Sequence, residues 1–158
     1  MTWLQAQSVG EGYYNDALEV VEGGRPARNN NPLDLRWSTE AEAFGATHGD
    51  VTVLNGYKGF GGFAVFPDAR TGFRAAQRWL SVPAKFHQGP VPGLYLDPNG
   101  TTLVGGYLGA TIAQVCYRFT PPSDGNNTEA YIAGNCQRSG IPRTAILTAA
   151  MLETPEAD

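Results

Sequence analysis

The residues of this chain best suited to chemistry are carboxylates. Glu11 stands in Glu11-Gly12-Tyr13-Tyr14, beside two aromatics, and Glu22 follows Leu18 and Val21. A glutamate in semi-apolar surroundings keeps its proton to higher pH and becomes a general acid, the group that breaking a glycosidic bond requires. The sequence leaves both candidates open. Downstream lies Arg28-Asn29-Asn30-Asn31-Pro32-Leu33-Asp34-Leu35-Arg36-Trp37. Asparagine side chains bond to their own backbone and favour turns, and Pro32 pushes Asn31 out of the helical region. The segment therefore reads as a fixed polar loop, anchored by the alternating Leu33, Leu35 and Trp37. Amides both donate and accept hydrogen bonds, so Asn29, Asn30 and Asn31 near aromatics such as Tyr13 and Tyr14 suit a hydroxyl-rich ligand such as a sugar chain. Asp34 is a further carboxylate at the loop's end.

Other chemistries lack their parts. The chain has no Gly-x-Ser-x-Gly elbow, phosphate loop, dinucleotide fingerprint or His-Glu-x-x-His. Two histidines, His48 and His87, and two cysteines, Cys116 and Cys136, lie too far apart in sequence to read as a metal site. No metal and no cofactor is expected. The cysteines read as buried thiols, with a disulfide between packed helices as the alternative.

These residues need elements to position them. Residues 3–11 read as a short helix capped by Thr2, which puts Glu11 at its end. Residues 16–22 read as a second helix, with Asp16 as cap and Gly23-Gly24 as stop, which puts Glu22 at its end. Ser38–Phe44 suggests a helical turn and residues 45–50 a loop. Residues 50–66 suggest a hairpin, with strands at 51–54 and 63–66. From Asp68 or Thr71, Phe73, Ala76, Trp79 and Leu80 recur at helical spacing, with Arg70, Arg74 and Arg78 on another, solvated face. Residues 83–106 are rich in Pro and Gly and read as a long irregular excursion. Thr111 caps a helix carrying Ile112, Val115, Cys116 and Phe119, and Thr128 caps another through Tyr131, Ile132 and Cys136. A last helix is expected from Pro142 through Met151, and residues 152–158 as a frayed tail. The pattern is α+β and mainly α, in one domain over residues 1–158.

At 158 residues, with 42% hydrophobic and 16% charged residues, the chain can bury a substantial core. A net charge of -4 without a basic run argues against a nucleic-acid partner. No window is apolar for long enough to span a bilayer. The start, Met1-Thr2-Trp3-Leu4-Gln5, lacks the features of a secretion signal, so delivery outside the cell would need a signal-independent route.

Three blocks together resemble the phage and prophage lysozyme-like proteins related to lytic transglycosylases. They are Glu11-Gly12-Tyr13-Tyr14 with Gly24–Leu35, then Gly62–Pro67 with Gly72, then Thr111-Ile112 with Phe119–Thr128 and Tyr131-Ile132. The resemblance spans residues 3–147 through a minority of positions. It implies a lysozyme-like fold of short helices packed around a small β-hairpin, and cleavage of peptidoglycan glycan strands by a lytic transglycosylase or muramidase. It also implies association with a virion or delivery to the cell wall. In that family a Glu followed by Gly and an aromatic ends the first helix, which falls on Glu11 and leaves Glu22 as second choice. A late-helix Tyr approaches the catalytic Glu, which falls on Tyr131. The chain departs from the pattern in a longer gap between Glu11 and Arg28, and in Leu33 where Gly is common. The alternative is a non-catalytic virion or glycan-binding module on the same fold.

Overall fold

The computed structural model describes residues 1–49, 62–81, 107–122 and 125–158. The described elements are helices α1 (Trp3–Gly10), α2 (Arg25–Arg28) and α3 (Thr39–Ala43), strands β1 (Thr47–His48) and β2 (Ala64–Val65), and helices α4 (Ala69–Ser81), α5 (Ile112–Phe119) and α6 (Thr128–Ser139). Two 3-10 turns follow, Ala149–Leu152 and Pro155–Ala157. This is an α+β chain, mainly α, with a two-stranded antiparallel sheet. Among the described residues no helix is long and apolar enough to cross a membrane.

The chain groups into two compact units. Unit 1 holds Met1–Ala6 and Arg78–Glu153, and unit 2 holds Gln7–Gln77 and Thr154–Asp158. In unit 1, α5 packs on α6, and Ile112, Val115, Cys116, Ile132 and Leu147 are buried. Trp79 tilts over Tyr107, with ring centroids 5.0 Å apart, and meets Phe119 edge-on at 5.5 Å. Cys116 and Cys136 are free thiols, and burial raises the pKa of Cys136. In unit 2 the core collects Tyr13, Tyr14, Leu33, Leu35, Ala64, Phe66, Phe73 and Ala76.

Local chemistry explains the helix starts. Thr2 Oγ1 accepts from Gln5 N while Gln5 Oε1 accepts from Thr2 N, a reciprocal cap that opens α1. Thr111 and Gln114 do the same for α5. Ser38 caps α3. Asp68 Oδ1 accepts from Thr71 N at 2.8 Å, a bond that lowers the pKa of this exposed carboxyl as it opens α4. On α4, Phe73, Ala76 and Leu80 are buried, and Arg70, Arg74 and Arg78 are exposed.

Several expectations fail for identifiable reasons. Residues 16–22 form no helix. Asn15 Oδ1 takes the N–H groups of Ala17 and Glu19, Asn15 N donates to Glu19 O, and Tyr14 bridges Val20. A side chain that captures two backbone donors offers the chain an alternative to the helix. The first strand of the sheet is Thr47–His48, inside the expected loop, and it pairs with β2 with His48 opposite Ala64. The expected strand 51–54 and the excursion 83–106 lie outside the described residues. Asn127, not Thr128, caps α6 by accepting from Ala130 N. Thr128 is buried and its hydroxyl donates to Thr120 O at 2.6 Å.

The expected helix from Pro142 to Met151 is instead a turn, closed by Ala145 N donating to Pro142 O, followed by Ile146, which bridges Thr111. The first N–H groups of α5 have no intrahelical acceptor. Ile112 N donates to Ala145 O and Ala113 N to Arg143 O, and these carbonyls cannot also serve a helix of their own. Of the expected helix, Ala149–Leu152 forms a 3-10 helix. Residues 152–158 are packed, not frayed. Leu152, Thr154 and Ala157 are buried, and Arg74 Nε donates to Ala157 O at 3.0 Å.

Candidate functional site

Glu11 is the C-cap residue of α1. Tyr13 N donates back to Ser8 O and Gly12 N to Val9 O, both at 2.9 Å, and Gly12 takes the left-handed conformation at φ +81°. This pair of bonds is the Schellman motif, in which the residue after the cap must tolerate positive φ, so glycine is favoured there. The Glu-Gly-Tyr order thus has a backbone reason. Gly12 turns the chain, Tyr13 closes the second bond and buries its ring, and Glu11 is held half-buried at the helix end.

Tyr13 and Tyr14 are core residues, which corrects their placement as ligand-contacting aromatics. They are 3% and 5% exposed. Their rings meet edge-to-face at 4.7 Å and pack on Phe73 at 5.7 and 6.0 Å. The Tyr14 hydroxyl bonds to the Glu156 carboxylate. Burial first, and Glu156 second, raise the pKa of both phenols.

The turn after Glu11 touches the entry to the asparagine loop. A Cβ on Gly24 would lie 3.2 Å from Gly12 O, so the two glycines let backbone meet backbone. Gly24 then caps α2, with Arg25 and Pro26 opening that helix and Asn29 closing it.

The asparagines grip β2 and the residue after it. Asn29 O accepts from Phe66 N at 2.8 Å, and Asn30 Nδ2 donates to Phe66 O at 3.1 Å. Asn30 sits at φ +49°, a region asparagine tolerates better than most residues. Asn31 is 0% exposed. Its Nδ2 donates to Leu35 O at 2.8 Å and to Ala64 O at 3.0 Å, and its Oδ1 accepts from Leu35 N at 2.9 Å. Asn31 is therefore a pin inside the loop and has no surface to offer a sugar. Asn29 and Asn30 remain half-exposed.

Asp34, also left-handed at φ +51°, is an ion-pair partner for Arg25. Arg25 Nε lies 3.0 and 3.1 Å from its two oxygens, and Nη2 closes the fork on Oδ2. The Arg25 guanidinium in turn lies 3.6 Å from the Phe63 ring centroid. Glu22 is exposed in a turn, because the helix expected to carry it does not form. Tyr131 is half-exposed near the start of α6, in unit 1, whereas Glu11, Glu22 and the loop belong to unit 2. Among the described residues no group of His, Cys, Asp and Glu could hold a metal ion.

Sequence reasoning missed Arg25, Phe63 and Glu156. The spacing from Arg25 to Asp34 fits no local rule, and only the left-handed Asp34 and the return of the chain before β2 bring Arg25, Asp34 and Phe63 together. Comparison of the chain with family models, with curated proteins and with solved structures gave no match.

Proposed function

We propose that the chain cleaves the glycan strand of peptidoglycan on a lysozyme-like arrangement of short helices and a small sheet, with Glu11 as the general acid. The observation that carries this reading is the Schellman turn. It fixes a half-buried glutamate at a helix end, with Tyr13 packed behind it and its glycine against the entry to a polar loop. A fixed carboxyl loses little entropy on meeting its target.

Glu11 gives its proton to the glycosidic oxygen as the C1–O bond breaks, while the substrate's N-acetyl carbonyl oxygen bonds to C1. The resulting carboxylate then takes the proton from the sugar's own 6-hydroxyl, whose oxygen displaces the acetamido oxygen. The product is an anhydro-sugar. Asp34 is engaged by Arg25, which leaves it poorly suited to act as a second catalytic carboxylate and favours the transglycosylase over the two-carboxylate hydrolase. Asn29 and Asn30 are the loop amides available to hydroxyl groups.

The test is mass analysis of muropeptides released from purified peptidoglycan by wild type, Glu11→Gln and Glu22→Gln. Glutamine keeps the shape and cannot deliver the proton. The expected result is anhydro-muropeptides from wild type and from Glu22→Gln, with release by Glu11→Gln lowered at least about a hundredfold. Reducing-end products alone would replace the transglycosylase with a hydrolase. An inert wild type that still binds glycan would make this a binding or virion structural module.

A further inference from the structure

The sheet of unit 2 is wider than its two named strands. Ala64 N donates to Leu35 O and Trp37 N to Gly62 O, so Arg36 and Phe63 form a non-hydrogen-bonded antiparallel pair. In such a pair the two side chains lie closest and on the same face. The Arg36 guanidinium accordingly lies 5.4 Å from the Phe63 centroid, on a ring that already carries Arg25 at 3.6 Å. Two cations share one aromatic.

The two are held differently. Arg25 is clamped by Asp34 through Nε and Nη2, with side chains 39% and 11% exposed. The carboxylate is sealed beneath while the guanidinium keeps an outer edge. Among the described residues the Nη1 amine of Arg25 has no protein acceptor, and Arg36, which is exposed, has only the Phe63 ring. Asp34 and Asn30, both left-handed, hold the turn that makes the clamp. Such outliers persist where the surroundings over-determine them and gather at binding sites. Among the described residues these two guanidinium groups are matched by one carboxylate, which leaves a positive charge in a chain whose net charge is -4. Arginine presents paired N–H donors that match the two oxygens of a carboxylate or the oxygens of a phosphate.

We infer that Arg25 and Arg36, braced on Phe63, form an anion-binding subsite for an acidic saccharide, taking a carboxylate or a phosphate of the glycan. The inference rests on the glycan reading for the sugar and on the paired arginines for the charge. The structure favours a saccharide over other polyanions because the subsite lies beside the loop of Asn29 and Asn30 and, among the described residues, places two cations on the Phe63 ring.

The experiment measures binding, so it does not depend on cleavage. By calorimetry, wild type, Glu11→Gln, Arg36→Gln and Phe63→Leu are titrated with chitotetraose, which is neutral, and with a peptide-free tetrasaccharide containing N-acetylmuramic acid, which carries lactyl carboxylates. Inorganic phosphate is titrated separately. Wild type and Glu11→Gln are expected to prefer the acidic tetrasaccharide by about tenfold, the preference shrinking as salt is raised. Arg36→Gln should remove the preference and leave chitotetraose binding unchanged, and Phe63→Leu should weaken it. Arg36-dependent phosphate binding without the carboxylate preference would support the subsite and identify phosphate as its anion. Equal affinity for both saccharides, unaltered by Arg36→Gln and with no phosphate binding, would overturn the inference and leave the glycan reading intact. Failure of both saccharides and of phosphate to bind would overturn it as well.

Discussion

Gly72→Ala should destabilise the protein although alanine is the better helix former. Gly72 lies in α4, and a Cβ there would stand 1.9 Å from the Asn30 carbonyl oxygen and 3.0 Å from both the Asn30 carbonyl carbon and Pro32 Cδ. Ordinary contact begins near 3.4 Å, so helix and loop must part by about 1.5 Å. The obstacle is backbone, in a loop held by Asn31 through Leu35 and Ala64 and by Asn30 through Phe66. Overpacking costs about 1–3 kcal/mol, and each buried polar group left unpaired adds about 1–3 kcal/mol. Against this the helix gains about 1 kcal/mol from alanine. The net expectation is a loss of about 3 kcal/mol, or a fall in melting temperature of roughly 6–12 °C. Gly134→Ala is the control within α6. Its Cβ would first meet the guanidinium tip of Arg138, at 3.0 Å, the flexible end of a side chain whose Nε donates to Ala6 O in a long bond of 3.3 Å, so a shift of a few tenths of an ångström suffices. That variant should be neutral or gain up to about 1 kcal/mol. Urea and thermal unfolding of both read the difference. If Gly72→Ala unfolds no more easily than wild type, the close approach of α4 to the asparagine loop is not the constraint described here.

Two further outcomes follow from the same bonds. Asn31→Leu keeps the volume, strips Asn31's bonds from Leu35 N and Ala64 O and leaves Leu35 O with Ala64 N alone, so urea unfolding should show a loss of about 2–4 kcal/mol, and a loss below about 1 kcal/mol would remove Asn31 as the loop's pin. Glu129 accepts from Arg143 and from the Tyr117 hydroxyl, which hold its pKa at about 2 against an ordinary 4.5. A carboxylate depressed in the folded state stabilises it above its unfolded pKa and loses that contribution as pH falls. The stability difference between wild type and Glu129→Gln should therefore be full above pH 4.5 and fade toward pH 2, and a difference constant across that window would sink the assignment.

The elements legible in the sequence were those written in local chemistry. The helix starts at Thr2, Asp68 and Thr111 each need only a few neighbouring residues. What stayed hidden depended on partners distant in the chain. Residues 142–148 have a fair helical pattern, and only the waiting N–H groups of α5, some thirty residues earlier, draw their carbonyls away from a helix. Asp16 and Thr128 are sound cap types, yet Asn15 and Asn127, one residue ahead of each, hold the decisive bonds. At the site, the glutamate at a helix end and the rigidity of the asparagine loop were readable. The division of labour within the loop was not, because nothing local distinguishes Asn31, which faces inward, from Asn29 and Asn30.

The grouping of the chain bears on how it can fold as it is made. Neither unit is continuous, since Met1–Ala6 joins Arg78–Glu153 and Thr154–Asp158 rejoins Gln7–Gln77. The tyrosine pair of unit 2 emerges early from the ribosome, but its Glu156 partner and the Ala157 carbonyl that meets Arg74 come after the whole long segment of unit 1. Nascent domains fold as units only when all their parts are present. A nascent chain halted within α5 should therefore leave Tyr14 without its acceptor, and a fragment covering residues 7–77 is missing part of its own structure. Unit 1 lacks its last residues until Glu153 is made, and unit 2 until Asp158 is made.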